Sequence, residues 1–143
     1  MSKSYRVRNQ ISGQFAWRLI EMLRSPAYRV LSRAAHQILA RLEIELADHG
    51  GNDNGKLPLT YLQLEEYGVH DHAIAPAIRE LEALGFIEIT EQGVAGNSEF
   101  RRPSKYRLTY RPVGRADPTD EWRRIKEDDA AMVAKRARWS SSR

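Results

Sequence analysis

Residues 60–86, TYLQLEEYGVHDHAIAPAIRELEALGF, constrain the fold more than any other stretch of the chain. Thr60 with Gln63 three positions later is the capping-box pattern, which satisfies free backbone N–H groups at a helix start. The helix it opens runs to about Tyr67 and stops at Gly68. A tight turn of Gly68, Val69 and His70 then leads into another helix over about 71–84, ended by Gly85. In that helix Ile74, Ala77, Ile78, Leu81 and Leu84 share one face at helical spacing and belong to a core. The opposite face carries His72, Ala75, Pro76 and Arg79. Pro76 lies near the fifth helical position, where it removes one backbone hydrogen bond to the first turn and bends the helix.

The flanking elements follow from the same signals. The segment QFAWRLIEMLR, residues 14–24, is predicted helical and apolar around much of its girth. Ser25 followed by Pro26 marks a second helix start. Ser32 caps a helix over roughly 33–48, in which Ala35, Ile38, Leu39, Leu42 and Leu46 repeat at helical spacing before the His49-Gly50-Gly51 stop. A turn-rich loop leads to a short extended stretch, Lys56 to Leu59, confined by Pro58 to a sheet edge. FIEIT and KYRLTY alternate apolar and polar residues and form two strands around a glycine-containing loop. In the second of these, Tyr106 and Leu108 share one face, and Lys105, Arg107 and Thr109 the other. After residue 111 a Pro/Gly-containing linker precedes a charged stretch with Asp117 capping and Pro118 in the first turn of a helix. Its stripe of Trp122, Ile125, Met132 and Val133 is broken by Asp129, so the segment reads as peripheral and its last residues as disordered.

Several function classes fall away. The chain has no cysteine, which removes disulfides, thiolate zinc sites and cysteine nucleophiles. No phosphate loop, nucleophile elbow or paired-carboxylate site is present, so no catalytic residue is assigned and the chain is expected not to be an enzyme. His70-Asp71-His72 lacks a third and fourth metal ligand, since His36 and His49 lie on another helix. Asp71 or His70 as N-cap accounts for the tripeptide, and neither metal nor cofactor is expected. With no long apolar run and no leader pattern, the expectation is a cytoplasmic protein with no membrane partner.

Charge is unevenly placed. Residues 31–90 hold ten acids against four bases, whereas residues 1–30 hold six bases against one acid and 91–112 five against two. An acidic centre flanked by basic segments suits a polyanion met at particular surfaces.

The order helix, short strand, helix, turn, helix, strand, loop, strand, with GV…AIAPAIRELEALGFIEIT at its centre, resembles the winged helix-turn-helix family of DNA-binding domains over about 30–110. SPAYRVLS, NDNGKLPLTY and FRRPSKYRLTY are similar to a proteobacterial subgroup associated with plasmids, phages and other mobile elements. The resemblance implies an α+β, mainly α fold, with a three-helix core and a small antiparallel β-wing over 32–110. An N-terminal arm and helix over 1–31 and a charged C-terminal extension over 111–143 flank it. It also implies sequence-specific binding of double-stranded DNA, with the helix over 71–84 in the major groove and a basic wing on backbone or minor groove, nucleoid association, and a role in transcription regulation or in replication or transfer control of a mobile element. The alternative of another class is a winged-helix module that binds protein and no DNA. The departure is at the start of the helix over 71–84, where the family carries several polar readers and this chain carries Asp71, His72, Ala73, Ala75 and Pro76.

Under that resemblance Arg79 would meet guanine or a phosphate, while Ala75 and Pro76 would pack on sugar or a thymine methyl, with His72 beside them. The plainer reading of Arg79 is a surface ion pair with Glu80 or Glu82. Wing residues Arg101, Arg102, Lys105 and Arg107, with Asn97 and Ser98 at the tip, would neutralise phosphates. Tyr61 and Gln63 sit at a helix start, which favours a phosphate, and Tyr61 serves equally well in packing. Lys3, Arg6 and Arg8 form a basic arm, and Arg33 and Arg41 read as ordinary solvated residues. A homodimer is expected, with residues 14–24 or Trp122 and Trp139 at the two-fold interface.

Overall fold

The computed structural model describes residues 12–94 and 102–140. The chain is α+β, with short helices α1 (Ile20–Arg24) and α2 (Pro26–Arg29), then α3 (Arg33–Asp48) and strand β1 (Leu57–Leu59). Next come α4 (Tyr61–Tyr67), α5 (Asp71–Ala83), β2 (Ile87–Glu91) and β3 (Ser104–Leu108). A 3-10 turn (Glu121–Arg124) and α6 (Glu127–Trp139) follow.

Local chemistry sets most of the boundaries. Ser25 and Ser32 accept from the N–H groups of Tyr28 and Ala35 and so cap α2 and α3. Thr60 and Gln63 close the full capping box on α4. Gly68 ends α4 at φ 113°, a left-handed conformation that favours glycine. The sheet is antiparallel in the order β1-β3-β2, with Leu57 opposite Tyr106 and Ile87 opposite Leu108. Pro58 lies on the edge strand, where its missing N–H costs no ladder bond. A bulge between Ile89 and Glu91 precedes an isolated Val94–Arg102 bridge that prolongs the β2–β3 hairpin.

One apolar core joins these elements. The inward residues of α3 and α5, including Leu39, Leu42, Ile74 and Leu81, pack with Phe86, Tyr106 and Leu108. Asn54 is buried in the loop before β1 and does what a strand partner would otherwise do. Its side-chain oxygen accepts from the Leu108 N–H at 2.8 Å, and its amide donates to the carbonyls of Leu108, Arg111 and Pro112. That clamp holds the end of β3 against the turn.

Two segments depart from the sequence-based expectation. Helix α1 begins only at Ile20, and residues 12–19 are not helical. Arg18 donates to the Tyr28 hydroxyl at 2.9 Å and lies over the Tyr28 and Tyr110 rings, which anchors the irregular approach to α1. With apolar residues on every side, this segment had no single face to bury, and Phe15, Trp17, Leu19 and Ile20 are exposed.

The second departure is the C-terminal stretch, which is docked rather than peripheral. Trp122 is 2% exposed and belongs to the core, and its indole N–H donates to Asp120. Asp117 and Pro118 do not open a helix; the 3-10 turn starts after Asp120, and α6 after Lys126. Ile125 is extended between them, so a helical count carried from Trp122 to Met132 loses its phase. The face of α6 that packs is small, with Ala130 and Ala134 buried and Met132 exposed. Small side chains let α6 lie close along α5. Gly85 is the matching constraint at the start of this docked segment. At φ 87°, a Cβ there would sit 2.6 Å from backbone atoms of Glu121 and Trp122.

Trp122→Ala is therefore expected to cost about 3–5 kcal/mol by emptying a core site. Urea denaturation of the variant checks it, and a loss within the ordinary surface range of about 0.5 kcal/mol would show that the C-terminal segment is not integral to the core.

Candidate nucleic-acid interface

The sequence places its candidate contacts on a basic N-terminal arm, at the start of α4, along the outer face of α5, and on the β2–β3 hairpin. Of these, Lys3, Arg6, Arg8, Asn97, Ser98 and Arg101 lie outside the described residues. The others divide into side chains that are free and side chains that are engaged inside the protein.

At α4, Tyr61 is exposed. Gln63 is committed to the cap: its carbonyl oxygen accepts from the Thr60 N–H at 2.9 Å and from the Thr60 hydroxyl. The expected phosphate contact by Gln63 thus competes with the bonds that start its own helix. The surrounding surface is acidic and aromatic, with Leu62, Glu65, Glu66 and Tyr67 also exposed.

At α5, His70 is the N-cap, accepting from the His72 N–H through its ring nitrogen. His72 projects into solvent with its side chain 87% exposed. Among the described residues, no group of three or more His, Cys, Asp or Glu side chains is placed to hold a metal ion. Ala75 and Pro76 are half-buried.

Arg79 is the principal correction. It does not project freely from the face, because its guanidinium is engaged by the end of α6. Its Nε donates to the Ala137 carbonyl at 2.8 Å, and Nη2 donates to the Arg138 carbonyl at 2.9 Å. Those carbonyls belong to the last turn of α6, where no helical N–H remains to satisfy them. A guanidinium fork suits two adjacent acceptors. Base contact by Arg79 would strip the cap from α6.

Next in sequence, Glu80 is fully buried and turns toward α3. It accepts from the Ser32 N–H at 2.7 Å and the Ser32 hydroxyl at 2.8 Å, with Arg138 at 3.4 Å. Sequence reasoning missed this role, because Glu80 and Ser32 lie 48 residues apart and no local pattern links them.

On the hairpin, Arg107 is also engaged. Its side chain is only 14% exposed and bonds Glu88, Thr119 and Glu121. Burial acts to lower its pKa, but Glu88 and Glu121 outweigh that and raise it. Burial likewise acts to raise the Glu121 carboxyl, while the Thr119 hydroxyl and Arg107 bring it below its ordinary value. The predicted solvent-facing role of Arg107 is replaced by a strut between the hairpin and the C-terminal segment. Lys105 stands 3.8 Å from Glu91 and is partly exposed, and Arg102 is exposed. The hairpin crosses itself tightly here, since a Cβ on Gly93 would meet the Ser104 nitrogen at 2.5 Å.

No family model matches the chain, and neither a curated protein nor a solved structure matches it. No helix among the described residues is long and apolar enough to cross a membrane.

Replacing Arg79 tests its structural assignment. Arg79→Ala is expected to lower stability by about 1–3 kcal/mol through loss of a charge-assisted carbonyl cap. Faster amide hydrogen exchange confined to the α6 end would accompany it. Unchanged stability and exchange would return Arg79 to the pool of free surface cations.

Proposed function

We propose that this chain is a winged helix-turn-helix protein that binds double-stranded DNA without catalysing a reaction, and that it acts as a regulator of transcription. The carrying observation is the element order α3-β1-α4-α5-β2-β3, with a three-residue turn between α4 and α5 and the sheet order β1-β3-β2. In that arrangement α5 is the groove-facing helix and the β2–β3 hairpin is the wing. Control of replication or transfer of a mobile element uses the same binding chemistry.

The cations that the fold engages least shape the mode of binding. With Arg79 and Arg107 engaged, affinity falls to Arg102 and Lys105 on the wing, with Arg101 beside them in sequence. Contacts of this kind neutralise phosphates and carry little base information. Binding is therefore strongly salt-dependent and modest in sequence preference.

A second reading rests on a specific surface. Tyr61, Leu62 and Tyr67 are exposed beside Glu65, Glu66 and Asp71, an acidic aromatic face that repels phosphate and suits a basic protein partner. Mobility shift of labelled duplex at two salt concentrations separates the readings. Wild type is expected to bind at about 50 mM salt and to weaken steeply by about 200 mM. Arg101→Ala with Arg102→Ala and Lys105→Ala is expected to weaken binding by about ten-fold or more. Absence of wild-type binding at the lower salt favours the protein-binding module, and equal binding by the variant removes the wing from the interface.

A second copy of the chain fits the exposed apolar side chains of Phe15, Trp17 and Ile44, which line one groove. Trp122 is excluded from that role by its burial. Sedimentation is expected to give a dimer, and Trp17→Ser a shift toward monomer. A wild-type monomer at all concentrations would remove the dimer.

A further inference from the structure

The described structure gathers positive charge at a place the sequence pattern did not single out. Helix α6 begins with Glu127, Asp128 and Asp129 and ends with Lys135, Arg136 and Arg138. Acids first and bases last complement the helix dipole, and that alone would explain the order of charges within α6. It does not explain what two other helices bring to the same end. Arg79 of α5 binds the last-turn carbonyls Ala137 and Arg138. Arg138 reaches Glu80, which holds Ser32 at the start of α3, and the next residue, Arg33, is exposed.

Three helices thus converge on one basic pole. Glu80 is its one acid in this chain of contacts, and Glu80 is fully buried under Ser32 and Arg138. Lys135 and Arg136 are exposed and make no ion pair among the described residues. Trp139, 78% exposed, adds a flat apolar surface beside them. The pole is fastened to α5, the helix whose own outer face is poor in polar readers.

Resting on the duplex-binding reading above, we infer that the C-terminal end of α6 is a second phosphate-contacting surface for double-stranded DNA, with Lys135 and Arg136 as its principal contacts. Arg79 positions this surface by holding the last turn of α6. Arg33 flanks it from the start of α3. The charge that α5 lacks is supplied in this way by a helix laid along it.

The test compares two variants that remove equal charge. Lys135→Ala with Arg136→Ala strips the pole. Arg124→Ala with Lys126→Ala removes two exposed cations before the opposite end of α6, with Lys126 roughly 14 Å along the helix axis from Lys135 and Arg136. Duplex binding is followed by fluorescence anisotropy across a salt series, with circular dichroism reporting the fold. The pole variant is expected to bind about ten-fold more weakly at low salt, and its log–log salt slope to be shallower by about 2. The opposite-end variant should match wild type within about two-fold.

A pole variant that keeps wild-type affinity and slope overturns the inference, as does equal weakening by both variants, which would reflect net charge alone. If the alanine pair unfolds the helix, Lys135→Gln with Arg136→Gln removes the same charges and is judged by the same two numbers. Loss of binding in the wing variant with none in the pole variant sinks this inference and leaves the duplex-binding reading standing. Failure of wild type to bind duplex at low salt sinks both.

Discussion

A carboxylate removed from water must find donors and a counter-charge, or it destabilises what surrounds it. Glu80 meets that requirement with the Ser32 N–H and hydroxyl on one side and Arg138 on the other. The start of α3, the middle of α5 and the end of α6 are therefore parts of one polar junction beneath a common core. Ser32 meanwhile keeps its own duty, accepting from the Ala35 N–H at the start of α3. Arg79, immediately before Glu80, holds the last turn of α6 from the same helix. Two adjacent residues on α5 thus organise a helix far before them and one far after.

This junction changes what the outer face of α5 is for. Read as an isolated amphipathic helix, it offers one cation to a groove. In the folded chain that cation is spent on α6, and Ala75 and Pro76 are half-covered. The same trade recurs at the hairpin, where Arg107 braces Glu88 and Glu121 rather than facing solvent. Cations that serve the fold are poorly placed to serve a ligand, since each would leave an acid or a carbonyl without its partner. Interfaces built on this scaffold must draw on side chains that the fold does not use.

Much of the local architecture was legible in residue order. The capping box at Thr60 and Gln63, the glycine stops at Gly68 and Gly85, and the apolar spacing of α3 and α5 all act within a few residues, and the helices begin and end where those signals say. Pro58 at the sheet edge follows from its missing N–H alone. The candidate contacts were less legible. Tyr61, His72 and Arg102 are exposed as expected, while Gln63, Arg79 and Arg107 are held by partners inside the protein. Nothing near Arg79 in the sequence announces Ala137 and Arg138.

What the sequence determined by itself is therefore the set of elements from α3 to β3, because caps, periodicity and turn chemistry are short-range interactions. It also excluded thiolate chemistry, through the absence of cysteine. Only the tertiary structure decided that residues 12–19 stay out of a helix, that Trp122 enters the core, and that α6 lies along α5. Those outcomes rest on pairs separated by tens of residues: Glu80 with Ser32, Arg79 with the end of α6, Gly85 with the backbone at Trp122. A buried charge or a close backbone approach has no periodicity to betray it, and its partner is chosen by packing that no local pattern encodes.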